Sequence, residues 1–467
     1  MATLNGFPSL LSSVGLARFP WTAALALLLA GCSTEGRLVG SPPPPLPLPE
    51  GIEVAFNHNL RSRYQSPITG RWRQGDDLEA FVLASIARAE REILVAVQEL
   101  SLPRIAEALV ERHRQGLRVR VVLENTYSAP WSTQHPASLS PRQRQRQAQL
   151  QALGWGDAVA ILQRGGVPVI DDTADGSAGS GLMHHKFVVV DGQEVITGST
   201  NFTASCVHGD PDAPSTRGNV NHLLRLQSRE LAELFREEFE RMWGNGPGGA
   251  QDSRFGLGKQ SEGLRWVRVG GTPVGVLFTP HSPSDGRHAL ALLEQLLETA
   301  GEQLDLALFV FSAQRLGNVV GDLHERGVSV RLLVDPGFAN RFFSEVLDLL
   351  GLELPDHRCI VQAENRPRQD PLPGVGTPRI ASGDKLHHKL AVVDRRRVIT
   401  GSLNWSVAAA HRNDETLLVI DSPKLAAHFG AEVDRLWSGA ELGVTERLQR
   451  KQERMRQRCG SGQRAAT

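Results

Sequence analysis

The chain has 467 residues, room for two or three domains with large cores. Lys+Arg and Asp+Glu both number 51, so the formal net charge is zero. That balance argues against a protein that lives by non-specific attraction to nucleic acid, which would carry a basic excess, but it leaves room for a basic groove.

At the N-terminus, Arg18 precedes an apolar stretch, Trp21 to Ala30, which runs into Leu29-Ala30-Gly31-Cys32. A spanning helix needs about 20 apolar residues, so this stretch is too short to be one. The pattern resembles a bacterial lipoprotein signal: residues 1–31 would be removed and the Cys32 thiol would carry lipid. Residues 32–50 contain the run Ser41 to Pro49, a stiff polyproline-like tether. The expectation is an exported protein anchored to a membrane of the cell envelope. Cys206, Cys359 and Cys459 remain, an odd number with no metal-ligand spacing and no disulfide framework, and they receive no role.

The body reads as two related halves, 51–243 and 272–441, joined by a Gly-rich linker, 244–271, and followed by a basic tail, 442–467. ILVAVQELSLPRIAEALVERHRQGLRVRVVLEN, from Ile93, aligns without a gap with LDLALFVFSAQRLGNVVGDLHERGVSVRLLVDP, from Leu304. Each reads strand, amphipathic helix, Gly stop, strand. Arg104 and Arg315, Gly116 and Gly327, and Arg120 and Arg331 correspond, which marks an internal duplication. The expected fold class is α/β: two homologous halves, each a mixed β-sheet flanked by helices, related by a pseudo-two-fold axis. The Arg/Gln run from Pro141 to Gln149 reads as a solvated helix. So does the tail, with seven Lys/Arg against two Glu from Glu446 to Arg464; contact with anionic lipid or nucleic acid is the alternative there.

The strongest signal is a second pair of near-copies, LMHHKFVVVDGQEVITGSTNF from Leu182 and LHHKLAVVDRRRVITGSLNW from Leu386. In each, the apolar β-branched run after the histidines predicts a strand, and Asp191-Gly192 predicts a hairpin turn. Strand alternation puts His184 and Lys186 on one face and His185 on the other, and likewise separates His387 and Lys389 from His388. Gly198-Ser199 and Gly401-Ser402 are expected to open helices whose free N–H groups favour an anion. An imidazole, an ammonium and a helix N-terminus make a phosphate pocket, and the two copies make one composite site. Asp191 and Asp394 stand an odd number of residues from the lysines, so they face away and read as structural. Adjacent histidines on opposite faces cannot readily chelate one ion, so neither a metal nor another cofactor is expected.

These motifs resemble the phospholipase D superfamily, whose H-x-K-(x)4-D motif occurs twice per active site. The texture is similar to its small endonuclease and cardiolipin-hydrolase branch, where one motif per chain and a homodimer are usual; here both halves lie in one polypeptide, and no protein partner is required. The resemblance implies that one histidine attacks phosphorus to form a phosphohistidine, His184 being favoured, while His387 acts as general acid and then as base for water. Lys186, Lys389, Asn201 and Asn404 would clamp the phosphate oxygens, with Ser199 and Ser402 in support. The family usually carries a Glu after the second motif to hold a catalytic imidazole, here Glu415. The matching place in the first half is Asn221, displaced by an insertion at Cys206 to Ser215. Either Asp210 or Asp212 of the insertion supplies the missing charge, or the two histidines differ in pKa and keep fixed roles.

The expected activity is metal-independent hydrolysis of phospholipid head groups to phosphatidic acid at a membrane surface. The alternative is an endonuclease acting on DNA or RNA, and a third class is a non-catalytic phosphate-binding module, against which the completeness of both H-x-K sets argues. Phe338, Phe342 and Phe343 read either as a rim for acyl chains or as the buried face of a helix.

Overall fold

The computed structural model describes residues 46–176 and 181–465. Cys32, the signal segment and the tether as far as Pro45 lie outside these residues. Leu46–Thr467 is one compact unit, and no described helix is long and apolar enough to cross a membrane.

The first half builds a seven-stranded sheet in the order Ile52–Phe56, His222–Gln227, Glu194–Gly198, Lys186–Val190, Glu92–Val97, Arg118–Leu123, Val169–Asp171. The first five strands run antiparallel to their neighbours and the last two join in parallel. The second half repeats this order with Thr272–Phe278, Thr416–Asp421, Arg397–Gly401, Lys389–Val393, Gln303–Leu308, Ser329–Val334 and Val375–Thr377, and adds an edge strand at each side. A parallel pair needs a helical crossover, and Pro103–Arg114 and Gln314–Glu325 supply it in the two halves. The central strands are buried along their length, so they are continuous apolar runs.

One core draws on both sheets. Phe187 and Leu224 of the first half meet Leu390 and Leu418 of the second around Phe235 and Phe429, which come from the helices Arg229–Trp243 and Pro423–Trp437. Two further cores each belong to one half. The matched Arg120 and Arg331 have matched jobs. Arg120 pairs with Glu240 and lies 5.5 Å from the Trp243 ring; Arg331 pairs with Asp434 and lies 5.6 Å from that of Trp437.

Two segments depart from the sequence reading. Within 244–271, the strand Arg265–Val269 pairs with Thr272–Phe278, and the Lys259 side chain is fully buried, so this is part of the fold rather than a loose linker. Its Gly content serves turns: Gly270 has φ +49° and a Cβ there would meet the Glu50 carbonyl at 2.1 Å. In the tail, the helix Glu446–Cys459 docks through Leu448, a disulfide joins Cys459 to Cys359, and Gln463–Arg464 pairs with Ile360–Val361. The bridge closes a loop spanning 100 residues of sequence. Cys459→Ser should therefore cost about 2–4 kcal/mol in urea unfolding without reductant; an unchanged midpoint would mean that the other contacts hold the tail.

Candidate active site

The two motifs meet where the halves exchange backbone. Met183 bridges Asp414 and Leu386 bridges Val220. The His184 N–H donates to the Asp414 carbonyl (2.9 Å) and the His387 N–H to the Val220 carbonyl (3.0 Å). The exchange carries the next residue of each half to the opposite imidazole. Glu415 Oε2 lies 2.6 Å from His184 Nδ1, and Asn221 Oδ1 lies 3.0 Å from His387 Nδ1. Each half orients the other's histidine, a crossover that linear spacing does not reveal.

Both orienting groups are fixed. Ser402 Oγ donates to Glu415 Oε2 (2.7 Å) and Asn413 Nδ2 to Oε1 (3.2 Å). Ser199 Oγ donates to Asn221 Oδ1 (2.8 Å), while Asn221 Nδ2 donates to the Cys206 carbonyl (3.1 Å), which sets the amide orientation. The Ser199 carbonyl gives His387 Nδ1 a second partner at 3.0 Å.

Ser199 and Ser402 therefore do not clamp phosphate: both are fully buried, and their hydroxyls hold the orienting residues. Nor do Gly-Ser pairs open helices, which start later, at Ala204 and Val407. The glycines are needed for close approach, since a Cβ would lie 2.4 Å from the His222 carbonyl at Gly198 and 2.2 Å from that of Thr416 at Gly401. The insertion does not replace the missing carboxylate: Asp210 accepts from Ser205 Oγ, and Asp212 from Gln149.

Lys186 Nζ donates to the His184 carbonyl (2.7 Å) and Lys389 Nζ to the His387 carbonyl (2.8 Å), which leaves each ammonium two protons for an anion. Lys389 also lies 4.9 Å from the Phe309 ring centroid, and that ring is 4.7 Å from the His387 ring. Asn201 Nδ2 donates to Gln98 Oε1 (3.1 Å). The Oδ1 atoms of Asn201 and Asn404 are buried with no hydrogen-bond partner among the described residues. Asp191 and Asp394 sit at the hairpin turns, with φ of 54° and 49°. Each carboxylate accepts three backbone N–H groups at the start of the central strand, Glu90, Arg91 and Glu92 in one half and Gly301, Glu302 and Gln303 in the other.

The sequence reading gave no role to the second histidines or to their partners. His185 Nε2 is 3.0 Å from Glu238 and its Nδ1 2.9 Å from Thr416 Oγ1; His388 Nε2 is 3.1 Å from Glu432. Glu238 in turn binds the buried Lys259. A signal was available: RELAELFREEFERMW and PKLAAHFGAEVDRLW align without a gap and superpose Glu238 on Glu432.

Above His184 and His387 lies a cleft of about 810 Å³. The helix Pro141–Ala152 forms part of its wall through Arg142, Gln143, Gln145, Arg146 and Gln149, so the Arg/Gln run faces the site. Arg146 pairs with Glu99 at 2.8 Å. Phe309 lies between the cleft and Phe338, with centroids 4.7 Å apart.

Burial sets the protonation states. It pushes the Glu415 carboxyl up to about 7 against the pull of Lys186. Burial, then Lys186 and Lys389, holds His184 well below the ordinary imidazole value, and His387 is lowered in the same way. An ionised Glu415 keeps the His184 proton on Nδ1 and leaves the Nε2 lone pair free; a protonated Glu415 donates to Nδ1 and moves the ring proton to Nε2. Burial also pushes Lys186 down to about 8. A phosphodiester does not titrate in this range, so kcat/KM should fall on the alkaline side, as His387 and Lys389, both lowered by burial, and then Lys186 near pH 8 lose their protons. A flat profile from pH 6 to 9 would refute this assignment.

The family model described as cardiolipin synthase, PLD-like domain matches residues 82–243 and 293–437. The chain is similar to mitochondrial cardiolipin hydrolase of Homo sapiens, 35% identical over 167 residues, which is 36% of this chain and 55% of that protein. It is also similar to that of Mus musculus, 32% identical over 171 residues, 37% of this chain and 68% of that one. It spans about half the length of the human relative. Among solved structures, phosphatidylserine synthase of Haemophilus influenzae Rd KW20 has the same fold, with a TM-score of 0.53 at 12% identity, covering 88% of this chain and 96% of that one. With one stretch of the family model on each half and the motif histidines His184 and His387 lining one cleft, the chain belongs to the cardiolipin synthase, PLD-like domain family.

Proposed function

We propose that the protein is a phosphodiesterase of the phospholipase D type that hydrolyses phospholipid head groups to phosphatidic acid. The observation that carries this reading is the reciprocal clamp, Glu415 on His184 and Asn221 on His387, with two ammonium groups beside it. His184 Nε2 attacks phosphorus; the N–P bond forms as the bond to the head-group oxygen breaks, and His387 protonates that oxygen. His387 then takes a proton from water, whose oxygen attacks phosphorus and displaces His184. The entering anion raises the basicity of His387 and the lysines, which burial and their mutual repulsion lower. Phe309 and Phe338 offer an apolar flank, and the relatives named cardiolipin hydrolase favour lipid.

A second reading, an endonuclease, is favoured by one observation: the Arg/Gln wall of the cleft offers donors suited to a polynucleotide backbone. Export with a lipid on Cys32 remains part of the proposal; the Cys359–Cys459 bridge supports it, since disulfides persist in oxidising compartments. The test offers residues 46–467, in EDTA, phospholipid vesicles and single-stranded DNA in parallel, with His184→Asn as control. Phosphatidic acid release that the control abolishes supports the lipase. Cleaved DNA with intact lipid overturns it in favour of the nuclease.

A further inference from the structure

The tail helix presents three cations that have no carboxylate partner among the described residues. Arg447, Lys451 and Arg454 fall on one face of Glu446–Cys459, and Arg341 of the neighbouring loop faces them. Among the described residues none of these four has a carboxylate partner within ion-pair distance, although other surface arginines here do, Arg397 with Asp421 for one. Burial, then Arg341, Arg447 and Arg454, lowers the Lys451 ammonium, so the cluster is held together against its own repulsion. It is held firmly: Lys451 Nζ donates to the Asn340 carbonyl, Leu448 is buried, and the disulfide pins the helix end.

Directly before this helix, two aliphatic side chains stand in solvent. Leu442 is 41% exposed and Val444 37%. Cations beside exposed aliphatic groups match a surface that is anionic at the head groups and apolar beneath; a polynucleotide would satisfy only the cations.

We propose that Arg341, Arg447, Lys451 and Arg454, with Leu442 and Val444, form a docking ridge for an anionic phospholipid surface. The ridge lies outside the catalytic cleft, so the inference goes beyond the proposed reaction. It is close to it in structure: Asn340 belongs to the loop that carries Phe338, and Phe338 packs on Phe309, which packs on His387. Docking here would seat the second half's side of the site on the bilayer.

The test is sedimentation of residues 46–467 with vesicles of phosphatidylcholine alone or with phosphatidylglycerol. Each cation near such a surface contributes about fivefold in partitioning, so Arg447→Gln/Lys451→Gln/Arg454→Gln should lower binding to the anionic vesicles by about a hundredfold. Leu442→Ser/Val444→Ser should weaken it separately. Turnover of a small soluble diester, bis(p-nitrophenyl) phosphate, should stay unchanged in both variants, which excludes misfolding. Equal vesicle binding by the triple variant and the parent overturns the ridge, and so does loss of single-stranded DNA binding with vesicle binding intact. Vesicles bound as expected but not hydrolysed would count against the lipase and leave the ridge standing.

Discussion

Glu415→Gln is expected to lower kcat by about 10³–10⁴-fold, whereas Asn221→Ala should cost about tenfold or less. The two residues occupy matching places, so the difference lies in their chemistry and surroundings. Glu415 accepts at both oxygens, from Ser402 and His184 at one and from Asn413 at the other. A glutamine amide must turn its NH2 towards one of these groups. Turned to His184 it forces the ring proton onto Nε2 and removes the nucleophile; turned to Asn413 it sets donor against donor. It also carries no charge to stabilise the ring as the N–P bond forms. His387 loses less, because the Ser199 carbonyl still holds its Nδ1 when the Asn221 amide is gone. Rapid-quench phosphate labelling should trap the phosphoenzyme on His184, and Glu415→Asp should restore part of the rate. A label on His387 would reverse the roles, and equal losses in Glu415→Gln and Asn221→Ala would show that the carboxylate has no part the amide lacks.

Duplication was readable because it repeats side chains as well as periods. The gapless βαβ match foretold two homologous halves, each with a mixed sheet, and the H-x-K spacing separated His184 from His185 and His387 from His388. What sequence could not supply was the partner across the interface. Spacing along one chain does not say which histidine Glu415 holds, and the backbone exchange at Asp414 and Val220 brings it to the histidine of the other half. Ser199 and Ser402 were misread for a related reason: Gly-Ser resembles a helix opening, but Gly is there to let the neighbouring strand's carbonyl come close. Composition misled at 244–271, where many glycines suggested a linker and concealed the buried Lys259. The disulfide was beyond reach, since three cysteines allow three pairings and only tertiary structure brings Cys359 to Cys459.

Lys259→Met should destabilise the fold by about 3–5 kcal/mol, because it leaves buried charge without its partner. The Lys259 ammonium binds Glu238, Asp414 Oδ1 at 2.8 Å and the Thr279 carbonyl at 3.1 Å, with no solvent contact. Burial alone would raise Glu238, but Lys259 and His185 outweigh it and hold that carboxyl at about 2. For Asp414 burial wins, and its carboxyl stays above the usual range even beside the ammonium. One cation thus serves two carboxylates, and both lead to the site, Glu238 through His185 and Asp414 through its carbonyl on the His184 N–H. The pH dependence gives the sign. In the parent, the depressed Glu238 contributes stability that is present above its unfolded value near 4.5 and is lost as pH falls towards 2. Without Lys259 the same carboxyl is raised, so the loss relative to the parent should be smaller at pH 5 than at pH 8. Urea unfolding at the two pH values reads this directly, and adding Glu238→Gln and Asp414→Asn should recover most of the loss. A single variant within about 1 kcal/mol of the parent, or one whose loss relative to the parent shrinks from pH 5 to pH 8, would show that the carboxylates find other partners and that Lys259 does not hold the two halves at His184.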